Sequence, residues 1–170
     1  AYVYSYTQNF GFGTVTCDDY LFSPAFSLEA GTTYEVTVVM NNATTTGDID
    51  VMYGTSDDGS GYTSVGKLEV NNGGGSSTVS FSVPQSGEYK IALHDISAPE
   101  LYSMSNIYLT SFDIKVGEEG GGDEPQGVAV PYDYTFSSAT FDDGWQQHNA
   151  NGDANQWSAT ANYVYSGIYN

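Results

Sequence analysis

Apolar and polar residues alternate with a period of two in five short segments: Tyr34 to Met40 (YEVTVVM), Asp48 to Gly54 (DIDVMYG), Thr78 to Pro84 (TVSFSVP), Tyr89 to Asp95 (YKIALHD) and Ile107 to Val116 (IYLTSFDIKV). Successive side chains of a strand point to opposite faces, so this period predicts strands with one buried and one wetted face. Turn formers bound the segments, among them Glu29-Ala-Gly31, Asp57-Asp-Gly-Ser-Gly61, Asn71-Asn-Gly-Gly-Gly75 and Gln85-Ser-Gly87. No stretch carries a 3.6-residue apolar stripe. The pattern therefore predicts an all-β protein, an antiparallel β-sandwich.

After Val116 the alternation stops at an acidic, glycine-rich run, Gly117 to Gly127, which has nothing to bury and reads as a linker. Residues 128–170 turn aromatic again, with Tyr132, Tyr134, Phe136, Phe141, Trp145 and Trp157. That segment is too short to hide its apolar faces alone and needs partner strands. The expected organisation is a main sandwich over 1–116, a linker over 117–127, and opening strands of a repeat over 128–170. A linker of this length reaches about 36–40 Å at full extension, enough to complete a sandwich within the chain or by strand exchange with a neighbour. Tethering favours closure within one chain. The repeat is visible at the ends: Tyr2-Val3-Tyr4-Ser5 and Asn9 return as Tyr163-Val164-Tyr165-Ser166 and Asn170, the signature of a tandem array entered at an offset.

Composition sharpens this picture. The 170 residues include 15 Tyr, 8 Phe, 2 Trp and 20 Gly, a mixture suited to pleated surfaces joined by tight turns. Three lysines and no arginine against 21 acids give a formal charge of -18, which argues against nucleic-acid partners and anionic membranes. No apolar run approaches the roughly 20 residues of a membrane span, and residues 1–30 lack a basic start followed by an apolar stretch. Cys17 has no second cysteine to pair with and is expected as a buried, inert thiol.

Several motifs resemble one family. The stretch from Phe136 through Asp142-Asp-Gly-Trp145 to Asn149-Ala-Asn-Gly-Asp153 and Trp157 is similar to the opening of the cleaved-adhesin or choice-of-anchor jelly-roll domains of Bacteroidetes surface proteins. Asp18-Asp-Tyr-Leu-Phe-Ser-Pro24 with Phe26-Ser-Leu-Glu-Ala-Gly31 resembles the middle of those domains, and Ser86 to His94 with Ile107-Tyr-Leu109 their final strands. The order is permuted, as the offset repeat requires. Two positions depart from the pattern: Tyr20 replaces a usual tryptophan, and Thr110-Ser111 stand where acidic or amide residues often supply a calcium ligand. The resemblance implies a jelly-roll sandwich that is secreted or displayed on a bacterial cell surface, works by adhesion or ligand binding, and in some members holds structural calcium.

Calcium takes six to eight oxygens, often from glycine-bearing loops. Asn149, Asn151 and Asp153 alternate around Gly152, and Asp142 and Asp143 precede a Gly-Trp corner; these five are the candidate metal ligands. Position six counted from Asn149 is Ala154 and position twelve is Thr160, so the loop is not an EF-hand. An ordinary Asx turn is the alternative. Aromatic side chains stack on sugars and anchor protein interfaces, which makes Tyr53, Tyr62, Tyr102, Trp145 and Trp157 the candidate ligand contacts, with core packing as the alternative. No catalytic set stands out. His94 and Asp95 are adjacent on a strand and face opposite ways, so they form no triad with Ser97. The expected function is a non-catalytic module binding a host or bacterial surface glycan or protein. A domain of a carbohydrate-active enzyme and a structural spacer are the alternatives.

Overall fold

The computed structural model describes residues 2–9, 18–41, 47–70, 74–96, 103–117, 130–136, 140–141, 143–150, 152 and 157–160. Among them are eleven strands and no helix: β1 (Tyr2–Asn9), β2 (Asp19–Leu28), β3 (Tyr34–Asn41), β4 (Gly47–Gly54), β5 (Thr63–Val70), β6 (Gly74–Phe81), β7 (Gly87–Asp95), β8 (Ser103–Val116), β9 (Tyr132–Thr135), β10 (Gln146–Asn149) and β11 (Ser158–Thr160). One sheet runs β11-β1-β8-β3-β6, with β9 also on β8, and the other runs β10-β2-β7-β4-β5. Every pairing between these strands is antiparallel. The protein is a two-sheet β-sandwich.

Alternation decides what lies between the sheets. Ile49 and Val51 of β4 and Ile91 and Leu93 of β7 point inward, as do Val36, Val38 and Met40 of β3 and Ile107, Leu109, Phe112 and Ile114 of β8. β2 departs from the pattern. Leu21, Phe26 and Leu28 reach the core, yet Phe22 on the opposite face is also buried, at 1% exposure. Strand β6 begins at Gly74, four residues before the start that the alternation at Thr78 to Pro84 predicts, and ends at Phe81, three residues before the predicted end. Beyond Phe81 the chain makes only an isolated bridge, Val83 with Ala30, since Pro84 has no N–H for a ladder.

Register shifts at three places among the described strands, once between Val51 and Met52 where β4 pairs with β5, and at the other two a side-chain hydroxyl repairs the ladder. Register shifts between Phe22 and Ala25, where Pro24 interrupts β2. Buried Ser23 bridges the gap: its Oγ accepts from Ile91 N at 2.9 Å and donates to Pro24 O at 2.7 Å. On β8 the shift opposite Val39 and Met40 leaves Thr110 unpaired with β3. Thr110 Oγ1 donates to Val39 O at 3.1 Å, and Thr110 O accepts from Phe136 N at 3.0 Å. The hydroxyl at this non-acidic position thus serves the backbone.

Strands from residues 128–170 join both sheets of their own chain in the structure. β9 pairs with β8, β10 with β2, and β11 with β1. Phe136, Trp145 and Trp157 enter the core at 4%, 3% and 1% exposure. Trp145 makes edge contacts with Phe112 at 5.1 Å and Phe136 at 5.0 Å, arrangements that aromatic pairs favour. Residues 118–127 of the expected linker lie outside the described residues.

Candidate ligand-binding face

The outer face of the five-stranded sheet collects the protein's chemistry. Strand register aligns His148, Tyr20, His94, Asp50 and Lys67 side by side on β10, β2, β7, β4 and β5. Directly opposed residues in antiparallel strands share a face, and the neighbouring inward row is Gln147, Leu21, Leu93, Val51 and Gly66. The outer row therefore carries both histidines of the sequence, a phenol, a carboxylate and an ammonium.

The rings of this row stack on one another. Tyr20 lies 4.2 Å from His94 with planes 10° apart, and 5.7 Å from Phe22 with planes 6° apart. His148 tilts against both Tyr20 and Phe22 at 6.4 Å. Stacking consumes ring faces and leaves hydrogen bonding as the row's main offer to a ligand. His94 Nε2 sits 2.6 Å from Asp18 Oδ1, and Ser64 Oγ donates to Asp50 Oδ1 at 2.5 Å. Burial, then the carboxylates of Asp18 and Asp50, raise the Tyr20 phenol above its usual range. It stays protonated and available as a donor.

A loop between β4 and β5, residues 55–62, roofs one end of the row. Glycines at positive φ, Gly59 (80°) and Gly61 (73°), let it turn tightly. Ser60 N donates to Asp58 Oδ1 at 2.9 Å, Ser56 Oγ donates to Ser60 O at 2.9 Å, and Tyr62 OH donates to Ser56 O at 3.0 Å. Hydrogen bonds from Ser60 and Ser56 lower the Asp58 carboxyl to about 2. Asp57 pairs with Lys90 of β7 and pins the loop to the sheet. Tyr62 covers Phe22, with ring centroids 5.4 Å apart, and the backbone of Gly59 lies against the Tyr20 ring. Burial, then Asp57 and Asp58, push the Tyr62 phenol strongly upward.

The expected site residues fall out differently from one another. Tyr62 is part of this face. Tyr53 is not: it points inward, half-buried between Phe81 at 5.6 Å and Tyr89 at 5.5 Å. Trp145 and Trp157 require correction too, because they are core residues with no ring face left for a ligand; their N–H groups are met by Tyr132 OH at 3.4 Å and Asp19 O at 3.1 Å. Tyr102 and Cys17 lie outside the described residues. Of the metal candidates, Asn149 Oδ1 accepts from Gly152 N at 2.6 Å, a local bond to the backbone three residues on, and Asp143 is exposed at positive φ in the turn before Gly144. Asn151, Asp153 and Asp142 are outside the described residues. Among the described residues no group of three or more His, Cys, Asp or Glu is arranged to hold a metal. His94 faces outward while Asp95 is buried inward at 1% exposure.

Tyr20, Phe22, His94, His148 and Asp50 were not expected as a ligand face. Four different strands bring them together, and only the registers of β10, β2, β7 and β4 reveal it.

Comparison with known proteins gives two findings. Residues 25–95, from the middle of β2 through β7, match the family description "PPC: Bacterial pre-peptidase C-terminal domain". No curated protein matches the chain. Among solved structures, a carbohydrate-binding module described as "PbXyn10C CBM APO" superposes with a TM-score of 0.58 at 12% identity, over 94% of this chain and 87% of that one. At that identity the likeness is one of fold. The chain is an all-β sandwich domain, similar over Ala25 to Asp95 to the pre-peptidase C-terminal domains and similar in architecture to a carbohydrate-binding module.

Proposed function

We propose that the chain is a non-catalytic, extracellular carbohydrate-binding module of a bacterial surface or secreted protein, and that it binds through the outer face of the five-stranded sheet. The observation that carries this reading is the row His148–Tyr20–His94–Asp50–Lys67, a line of hydrogen-bonding groups across five strands under a pinned loop. Hydroxyl-rich ligands suit such a row, since each sugar hydroxyl both donates and accepts. The family match and the fold likeness support it. With Asp18, Asp50, Asp57 and Asp58 around the face and a chain charge of -18, the preferred glycans are neutral; uronates and sulfates are repelled. The permuted adhesin-like motifs support surface display.

A glycan array followed by titration calorimetry tests this. Neutral oligosaccharides bind without release of reducing sugar, and Asp50→Asn with His94→Gln weakens binding at least about tenfold, worth roughly 1.4 kcal/mol. Turnover that disappears on changing one Asp or Glu moves the chain to the enzymes. Absence of any hit makes it a spacer.

Structural calcium at the 149–153 loop belongs to the same proposal, with Asn149, Asn151, Asp153, Asp142 and Asp143 as its donors. A cation bound only by the folded form raises the melting midpoint by mass action. Calorimetric melts in excess calcium and in excess chelator should therefore differ; coincident midpoints reduce the loop to an ordinary turn.

A further inference from the structure

Four strands end the two sheets, β11 and β6 in one and β10 and β5 in the other. An end strand shows one side of unpaired N–H and C=O groups, which natural proteins blunt by brevity, charge, proline or a bulge. β11 and β10 are short, at three and four residues. β5 carries exposed Lys67, Gly66 at a φ of 152° and a broken register opposite Val51 and Met52. β6 has none of these devices. Its eight residues, GGSSTVSF, include no charge and no proline, and its register with β3 runs unbroken from Gly74 to Phe81.

The side chains of β6 also suit a second β6. Pairing with β3 sets Gly75, Ser77, Val79 and Phe81 opposite Met40, Val38, Val36 and Tyr34 on the inner face, and leaves Ser76, Thr78 and Ser80 exposed on the outer one. An antiparallel pair of β6 strands centred on Thr78 keeps inner residues opposite inner and outer opposite outer. Val79 then meets the second copy's Ser77, and Phe81 meets its Gly75, so each bulky side chain faces a small one. On the outer face the two Thr78 side chains oppose each other, and the bond between Thr37 Oγ1 and Thr78 Oγ1 at 2.8 Å is continued as a row of threonines across both copies. No charged side chain stands in that ladder, which matters for a chain of charge -18 that otherwise repels its copies.

We propose that β6 is a self-association edge. Two copies join antiparallel about a two-fold axis through Thr78, perpendicular to the sheets, and their six-stranded sheets become one. No strand leaves its own sandwich. Both candidate glycan faces then point the same way, so a polyvalent glycan is held with avidity; that consequence rests on the glycan reading, and the dimer does not.

Sedimentation equilibrium of the full chain without glycan, from about 10 μM to about 1 mM, tests the dimer alone. The parent chain should pass from monomer to dimer across that range. Thr78→Asp sets two carboxylates on the axis at an exposed position, Thr78→Lys sets two ammonium groups there, and each should weaken association at least about threefold. An equimolar mixture of the two variants restores the dimer, because the opposed charges are then unlike; misfolded variants could not do so. Hydrogen exchange at the two ends of the range should show amides of residues 75–81 gaining protection at the higher concentration. A parent chain that stays monomeric throughout, a dimer indifferent to both substitutions, or a mixture no tighter than either variant alone overturns the proposal.

Discussion

Trp157→Ala is expected to destabilise the whole sandwich by about 3–5 kcal/mol, the range for truncating a large buried aromatic. Trp157 is 1% exposed, and its indole N–H donates to the Asp19 carbonyl across 138 residues of sequence. Asp19 is itself fully buried on β2, and its Oδ1 accepts from Ala150 N at 3.1 Å. The same two contacts therefore fasten the tail to the first strand of the five-stranded sheet. A domain of this size has a total stability of about 5–15 kcal/mol, so the loss shifts the midpoint by about 6–20 °C or abolishes folding. Trp157→Phe keeps an aromatic ring but not the donor, and should cost distinctly less. Calorimetry of both variants checks the claim. If the main transition of Trp157→Ala stays at the parent midpoint, residues 1–116 hold together without the tail, and the three-part organisation with its dependent segment is wrong.

How much of this was legible in the sequence depends on what covers each strand. β3, β4 and β8 are readable because one face meets the core and the other is less buried, as at Val36 and Thr37 or Ile114 and Lys115; β7 keeps a polar–apolar alternation although Ala92 on its outer face is buried opposite Phe22. β2 reads poorly, since Phe22 is buried on the outer face beneath Tyr62 while Leu21 is buried on the inner one. A strand buried on both faces loses its period of two. β5 leaves as little mark: Thr63 to Val70 is a mostly polar strand at the sheet's end, interrupted by Gly66 at a φ of 152°. The candidate face was hidden for a different reason. Tyr62 stood out as a loop aromatic, but Tyr20, His94 and Asp50 become neighbours only through registers between β2, β7 and β4, and non-local register leaves no local mark in the sequence. Trp145 and Trp157 were conspicuous by residue type, yet residue type alone does not distinguish a sugar platform from a core anchor. Their burial decides it.

The sharpest test of the loop that roofs this face is Gly54→Ala. Gly54 sits at the end of β4 with no unusual φ, so its backbone would accept alanine; the obstacle is Tyr62. A methyl group there would lie 2.3 Å from Tyr62 Cδ2 and 2.6 Å from Cε2 and Cγ, closer than carbon atoms approach. These are atoms near the root of a ring tethered through its hydroxyl to Ser56 O, so the ring must leave as a body. Phe22 is then uncovered, and the contact of Gly59 with Tyr20 is lost with the loop's position. Overpacking of this kind costs about 1–3 kcal/mol, or roughly 2–12 °C in midpoint. The Tyr62 phenol, held upward by burial first and by Asp57 and Asp58 second, should titrate closer to an ordinary tyrosine once the ring is released, which spectrophotometric titration reads directly. A double-mutant cycle separates this mechanism from a general effect on β4. In a Tyr62→Ala background there is no ring to collide with, so Gly54→Ala should cost almost nothing, and the two changes should couple by at least about 1 kcal/mol. Equal losses in both backgrounds would mean that the collision lies elsewhere and that Tyr62 does not govern the roof. Glycan affinity measured on the same four proteins then shows whether the roof shapes the binding face or merely shelters Phe22: a shaping role predicts a loss of about tenfold or more in every variant that frees or removes the ring, whatever its melting point.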